Sequence, residues 1–83
     1  MEQAWYVYIL QCADGTLYTG ITNNPNRRLK AHNAGTASKY TRVRRPVDMV
    51  YQEETDTKGN ALRRELQIKS MSRHQKMDLL NNK

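Results

Sequence analysis

Two short runs rich in β-branched and aromatic residues, Ala4 to Cys12 and Thr16 to Thr22, meet across Ala13-Asp14-Gly15. Runs of this kind on either side of a turn signal read as an antiparallel hairpin. The length of the connection constrains everything after it. A two-residue Asp14-Gly15 turn pairs Cys12 with Leu17 and sends Tyr8 and Tyr18 to opposite faces. A three-residue loop, with Gly15 left-handed at a bulge, pairs Cys12 with Thr16 instead. The choice matters because a slip of one residue turns every side chain over. The longer loop gathers Trp5, Val7, Ile9, Leu17 and Ile21 on one face and leaves Tyr6, Tyr8, Tyr18 and Gly20 on the other. The coherent apolar face selects it.

Downstream, Asn24 is placed to cap a helix whose first residue is Pro25. Gly35 ends it. Its apolar content is thin, mainly Leu29, and Arg28 and His32 lie four apart on one side. Thr36 to Pro46 reads as a loop or broken helical turn carrying Lys39, Tyr40, Arg42, Arg44 and Arg45. Val47 to Glu54 is predicted as a third strand, with Val47, Met49 and Tyr51 on one face and Val50 on the other. Asp56 or Thr57 then caps a helix over Lys58 to Ser70, whose apolar positions are Ala61, Leu62, Leu66 and Ile68. Ser72 with Gln75 forms a capping box for a last short helix bearing Met77, Leu79 and Leu80. The tail Asn81-Asn82-Lys83 is expected to fray. The order β-β-α-β-α-α predicts an α/β (α+β) sandwich in one domain over residues 1–83, built on a three-stranded antiparallel sheet.

Composition narrows the function classes. The longest apolar stretch, within Trp5 to Leu10, is far short of the ~18 residues of a membrane span. Met1-Glu2-Gln3 lacks the basic flank and apolar run of a signal peptide. The single cysteine, Cys12, suits a reducing compartment, and a cytoplasmic location is expected. A net charge of +6 favours polyanionic partners, nucleic acid before a membrane surface. Cysteine and histidine do not fall at zinc spacing, and no Gly-rich phosphate loop or Ser/His/Asp set stands out.

The remaining chemistry is carried by scattered residues. Glu65 lies within the apolar arc of its helix. It reads as a carboxylate for a hard cation, or as half of an exposed pair with Lys69 at i, i+4. Arg28 can clamp a phosphate, and His32 can carry a proton near neutral pH. His74 reads as a surface residue near a helix start.

Together these positions resemble the GIY-YIG nuclease family, in its small single-domain bacterial branch. Tyr6-Val7-Tyr8 matches the first family element and Tyr18-Thr19-Gly20 the second. Arg28 follows Tyr18 by ten residues and His32 follows Arg28 by four. Glu65, in Ala61-Leu62-Arg63-Arg64-Glu65, matches the family's metal-binding glutamate. The sequence departs at Tyr6, where the family has glycine, and at Thr19, where it has isoleucine. The family's late asparagine has only Asn81 or Asn82 as a counterpart.

The resemblance implies one-metal hydrolysis of a phosphodiester, in DNA before RNA. Glu65 would hold Mg²⁺ or Mn²⁺, and Arg28 would neutralise the phosphorane. Tyr8 or Tyr18 would orient and help deprotonate water, with the family logic leaning to Tyr18. His32 would assist the proton transfer or bind phosphate. Lys39, Arg42, Arg44 and Arg45 would follow the nucleic-acid backbone, and four such contacts predict a log–log salt slope of about −3.6 on duplex. Sequence preference would then come from this basic loop or from a protein partner. The rival expectation is a non-catalytic nucleic-acid-binding module.

Overall fold

In a computed structural model, which describes residues 4–81, the elements run β1 (Trp5–Gln11), β2 (Leu17–Thr22), α1 (Pro25–Ala34), α2 (Lys39–Arg42), β3 (Asp48–Thr55), α3 (Lys58–Lys69) and α4 (Arg73–Asn81). The strands form one antiparallel sheet ordered β2-β1-β3, with the first strand in the middle. This is the expected fold class with one addition. The segment after α1 contains a four-residue helix, because the Ser38 hydroxyl accepts from the Tyr40 and Thr41 N–H groups and starts a turn.

The hairpin takes the three-residue loop. The Cys12 N–H donates to the Thr16 carbonyl at 2.8 Å, the Gly15 N–H donates to the Cys12 carbonyl at 2.9 Å, and Gly15 has φ +85°. That backbone region favours glycine, which is why the bulge falls there. The register that follows sets Tyr8 opposite Gly20 and Val7 opposite Ile21. Val7 and Ile9 therefore enter one core with Tyr51, Ala61 and Ile68, and Trp5, Leu17 and Ile21 pack against it. Tyr8, Leu10, Cys12 and Val47 form a second core on the opposite face, flanked by Tyr18 and Leu29. Strand alternation alone feeds two cores from one central strand.

The third strand departs from simple alternation. A bulge between Ile9 and Leu10 pairs Ile9 with Tyr51 but Leu10 with Met49. Met49 therefore packs with Val47 in the Tyr8 core, while Val50 and Tyr51 pack in the Val7 core. The expectation that Met49 and Tyr51 share a face is corrected by the extra residue. The third helix needs a correction too. Leu62 and Leu66 are exposed, at 42% and 67%. The inward positions are Ala61 and Ile68, which are buried, with Arg64 and Glu65 half-buried between them. Arg64 turns inward because Glu53 on β3 receives its Nε–H, at 3.0 and 3.2 Å to the two carboxylate oxygens, while the Tyr51 hydroxyl donates to Glu53 at 2.6 Å.

Local signals set the helix ends. Asn24 Oδ1 accepts the Arg27 N–H, Pro25 occupies the first turn, and Thr57 caps α3 by accepting the Asn60 N–H. The Ser72–Gln75 capping box forms with both reciprocal bonds, at 2.9 and 3.1 Å. Asn81 closes α4, whereas Asn82 and Lys83 lie outside the described residues. Among the described residues, no helix is long and apolar enough to cross a membrane.

Candidate active site

Helix α1 has one buried residue, and it is His32 rather than an aliphatic side chain. The buried face of this helix therefore carries an ionisable side chain. Its neighbour Asn33 secures the docking. The Asn33 amide accepts the Val47 N–H at 2.8 Å and donates to the Val47 carbonyl at 3.0 Å, imitating a strand partner for the residue that leads into β3.

The His32 ring sits between two hydroxyls. Nε2 lies 2.9 Å from Tyr8 Oη, and Nδ1 lies 2.8 Å from Thr41 Oγ1. All three residues are buried, at 1%, 2% and 0% exposure for His32, Tyr8 and Thr41. Burial lowers the proton affinity of the imidazole, and the nearby Arg28 charge lowers it further, so His32 is held neutral. Burial also pushes the Tyr8 hydroxyl well above the ordinary tyrosine range. The neighbouring Tyr18 phenol and the Glu65 charge add to that rise, and Arg28 opposes it.

Glycine at position 20 makes the arrangement sterically workable. A Cβ there would sit 2.5 Å from Tyr8 Oη and 2.7 Å from its Cζ. The Tyr18-Thr19-Gly20 run thus provides the space in which Tyr8 lies.

Tyr18 is half-buried and meets the His32 ring edge-on, with centroids 5.2 Å apart. On its far side it stacks against Tyr40 at 5.9 Å. The Arg44 guanidinium covers the Tyr40 ring at 3.9 Å, donates to the Tyr40 carbonyl at 2.8 Å and pairs with Asp14 at 3.1 Å. An unbroken stack therefore runs from the hairpin turn to the imidazole. Tyr40 and Thr41, both on α2, were missed as site residues. The only sequence hint was their place beside the basic cluster.

Arg28 is exposed on α1 and lines a polar cavity of about 280 Å³ with Thr22, Asn23, Asn24, Arg27 and Ala31. Glu65 comes from α3, the helix that packs across β1 and β2. Its side chain is 15% exposed and meets Lys69 Nζ at 3.4 Å. Glu65 thus makes the i, i+4 pair, but as a half-buried rather than an exposed partner, and its charge acts on the Tyr8 hydroxyl. So the structure joins Tyr8, Tyr18 and His32 in direct contact and sets Arg28 and Glu65 within electrostatic reach of Tyr8.

The basic segment divides. Lys39 and Arg42 are exposed. Arg44 is bound as described, and Arg45 donates to the Arg42 and Asn33 carbonyls at 2.8 and 3.3 Å. Two of the four expected backbone-tracking cations are therefore committed within the chain.

Among the described residues, no group of three or more His, Cys, Asp or Glu side chains is arranged to enclose a metal. A lone carboxylate such as Glu65 suits Mg²⁺ or Mn²⁺ all the same. Mg²⁺ keeps several waters and binds through one or two carboxylates together with substrate phosphate. The donor set therefore fits a cation completed by substrate.

Comparison with known proteins gives a consistent result. The profile of the GIY-YIG catalytic domain matches residues 4–78. A UPF0213 protein of Staphylococcus saprophyticus is 50% identical over 76 residues, covering 92% of this chain and 93% of its own. One from Staphylococcus haemolyticus is 50% identical over 78 residues, covering 94% and 95%. The solution structure of a UPF0213 protein of Bacillus halodurans superposes with a TM-score of 0.64 at 42% identity, over 96% of this chain and 85% of that one. A protein of E. faecalis gives 0.67 at 42% identity, over 98% and 86%.

Proposed function

Because this chain belongs to the GIY-YIG catalytic domain family, we propose that it is a metal-dependent endonuclease hydrolysing nucleic-acid phosphodiester bonds, with DNA as the first substrate to test. One observation carries the reading. A tyrosine hydroxyl is held by a buried neutral histidine, and the charges of a guanidinium from one helix and a carboxylate from another both act on it.

Arg28 is the residue that meets the scissile phosphate. Its exposed guanidinium can take two non-bridging oxygens and oppose the charge that grows on them in the transition state. Glu65 would hold Mg²⁺ or Mn²⁺, which when bound supplies Lewis-acid stabilisation of the phosphate and the departing 3′ oxygen. Tyr18, the more accessible phenol, orients the attacking water. The water's proton leaves through Tyr8 to the Nε2 of His32, which burial keeps free to accept it. Lys39 and Arg42 contact flanking phosphates. Two such contacts give a log–log salt slope of about −1.8, whereas about −3.6 would mean that Arg44 and Arg45 exchange their internal partners for phosphate.

The test is a cleavage panel of branched, flapped and plain DNA, with and without Mg²⁺ or Mn²⁺. Cleavage should require the cation. Arg28→Ala and Glu65→Gln should each lower turnover by about 10²–10³-fold. Arg28→Ala should leave thermal unfolding nearly unchanged, because the side chain is exposed. Cleavage that survives Glu65→Gln removes the metal assignment. Salt-sensitive binding with no cutting under either cation makes the protein a binding module instead.

A further inference from the structure

We propose that Thr41 is a positioning residue for this site, holding the His32 imidazole with its proton on Nδ1 and its Nε2 lone pair facing Tyr8. The catalytic consequence rests on the nuclease reading above, but the tautomer rests on geometry alone. Thr41 lies on α2, outside both tyrosine elements and outside the helix that carries His32. It is wholly buried, with its Oγ1 2.8 Å from His32 Nδ1.

Hydrogen-bond bookkeeping gives the direction. A neutral imidazole has one N–H and one bare nitrogen, and a hydroxyl has one proton to give. The Thr41 hydroxyl donates to the Ser38 carbonyl at 3.4 Å, a back-bond within its own short helix. The Thr41 oxygen therefore faces His32 as an acceptor, so Nδ1 carries the proton. Nε2 is then bare and accepts the Tyr8 O–H at 2.9 Å. Run this way, the chain Tyr8 to His32 to Thr41 to Ser38 satisfies every donor. Run backwards, it gives up the Thr41 bond to the Ser38 carbonyl, which keeps the Arg42 N–H at 3.0 Å, and it turns the Tyr8 proton outward, where among the described residues the Tyr8 hydroxyl bonds no second protein acceptor.

Direction matters for chemistry. With its own proton aimed inward, the Tyr8 oxygen turns its lone pairs towards the site and can accept from water. As a water O–H breaks, a new O–H forms on Tyr8, the original Tyr8 O–H breaks, and an N–H forms on Nε2. Hydroxide is left to attack phosphorus, and the proton rests on an imidazolium whose other N–H stays bonded to Thr41. The opposite tautomer has a proton on Nε2 already and cannot take this one.

The tautomer can be read without substrate from long-range ¹H–¹⁵N spectra of the full-length labelled protein. The exposed His74 serves as the internal reference, because the chain has only two histidines. Wild type should show the Nδ1–H form of His32. Thr41→Ser should keep it, and Thr41→Val should shift it to a mixture or to Nε2–H. Under cleavage conditions Thr41→Val should lower kcat at least ~10-fold with KM little changed, and Thr41→Ser should restore it. A wild-type His32 protonated on Nε2, or a Thr41→Val protein with the wild-type tautomer, overturns the proposal. If Thr41→Val does not fold, the wild-type spectrum still decides. If no DNA is cut, the tautomer stands or falls separately from the nuclease reading.

Discussion

Replacing Gly20 with alanine tests the packing on which the site depends. The new Cβ would sit 2.5 Å from Tyr8 Oη and 2.7 Å from Cζ, where ordinary contact begins near 3.4 Å. The phenol would have to retreat by about 0.9 Å, the difference between 3.4 and 2.5 Å. It has little freedom to do so, because Tyr8 is 2% exposed and its hydroxyl is bound to His32 at 2.9 Å. Overpacking of this kind costs about 1–3 kcal/mol, and a lost buried hydrogen bond about 0.5–1.5 kcal/mol more. The sum, roughly 1.5–4.5 kcal/mol, lowers Tm by at least about 6 °C for a chain of this length. Circular dichroism melts of Gly20→Ala should show that fall. The same substitution should cost about 1 kcal/mol less in a Tyr8→Phe background, where the hydroxyl contact is gone but the Cζ contact remains. Gly59→Ala is the control. The nearest atom to a Cβ there is 3.9 Å away, so it should be neutral or stabilising by up to about 1 kcal/mol. A Gly20→Ala protein melting within about 2 °C of its parent would refute the steric argument.

Two further outcomes follow from the same geometry. The folded-state pKa of His32 lies below its ordinary value of 6.5, so the unfolded chain binds more protons between the two values. Its contribution to stability is complete above about 6.5 and is lost as pH falls through the lowered value. Urea midpoints should drop on going from about pH 7.5 to 5, and a His32→Gln protein should lose that part of the slope; equal slopes would count against a buried neutral imidazole. Asn33→Ala removes both bonds to Val47, whose backbone then has no partner at the docking point of α1. It should cost about 1–3 kcal/mol by chemical denaturation, and a loss below about 0.5 kcal/mol would show that water replaces the amide freely.

Local rules decided much of what was legible in the chain. The loop length could be read because one register assembles Val7, Ile9, Leu17 and Ile21 and the other scatters them. Asn24, Pro25, Gly35 and the Ser72–Gln75 pair marked helix ends by chemistry that acts within four residues. The errors arose where contacts between distant segments prevail. Nothing near Met49 announces the bulge, which exists to fit β3 to β1. Leu62 and Leu66 read as core, yet the inward stripe of α3 goes to Ala61, Arg64, Glu65 and Ile68. Arg64 has a carboxylate waiting on β3, and Glu65 pairs with Lys69 while its charge acts on the Tyr8 hydroxyl. Arg44 and Arg45 read as free cations because side-chain bonds to nearby carbonyls leave no sequence signal, and their other partners, Asp14 and the Asn33 carbonyl, lie far away in sequence. Thr41 carried little signal beyond its place beside the basic cluster, since its importance begins only when α1 and α2 lie side by side.

Hairpin tips are usually where a protein best tolerates added residues. This one is the reverse. Ala13 to Gly15 sets which face each residue of β2 takes, and the tip is anchored by the Ala13 N–H to the Arg44 carbonyl at 2.9 Å and by the Asp14–Arg44 pair. One codon gained or lost there would exchange Tyr18 and Gly20 with Thr19 and Ile21, removing Tyr18 and the Gly20 gap from the side that holds Tyr8 and His32. Evolutionary drift in length and engineered epitope tags should therefore gather elsewhere, and this short tip resists editing.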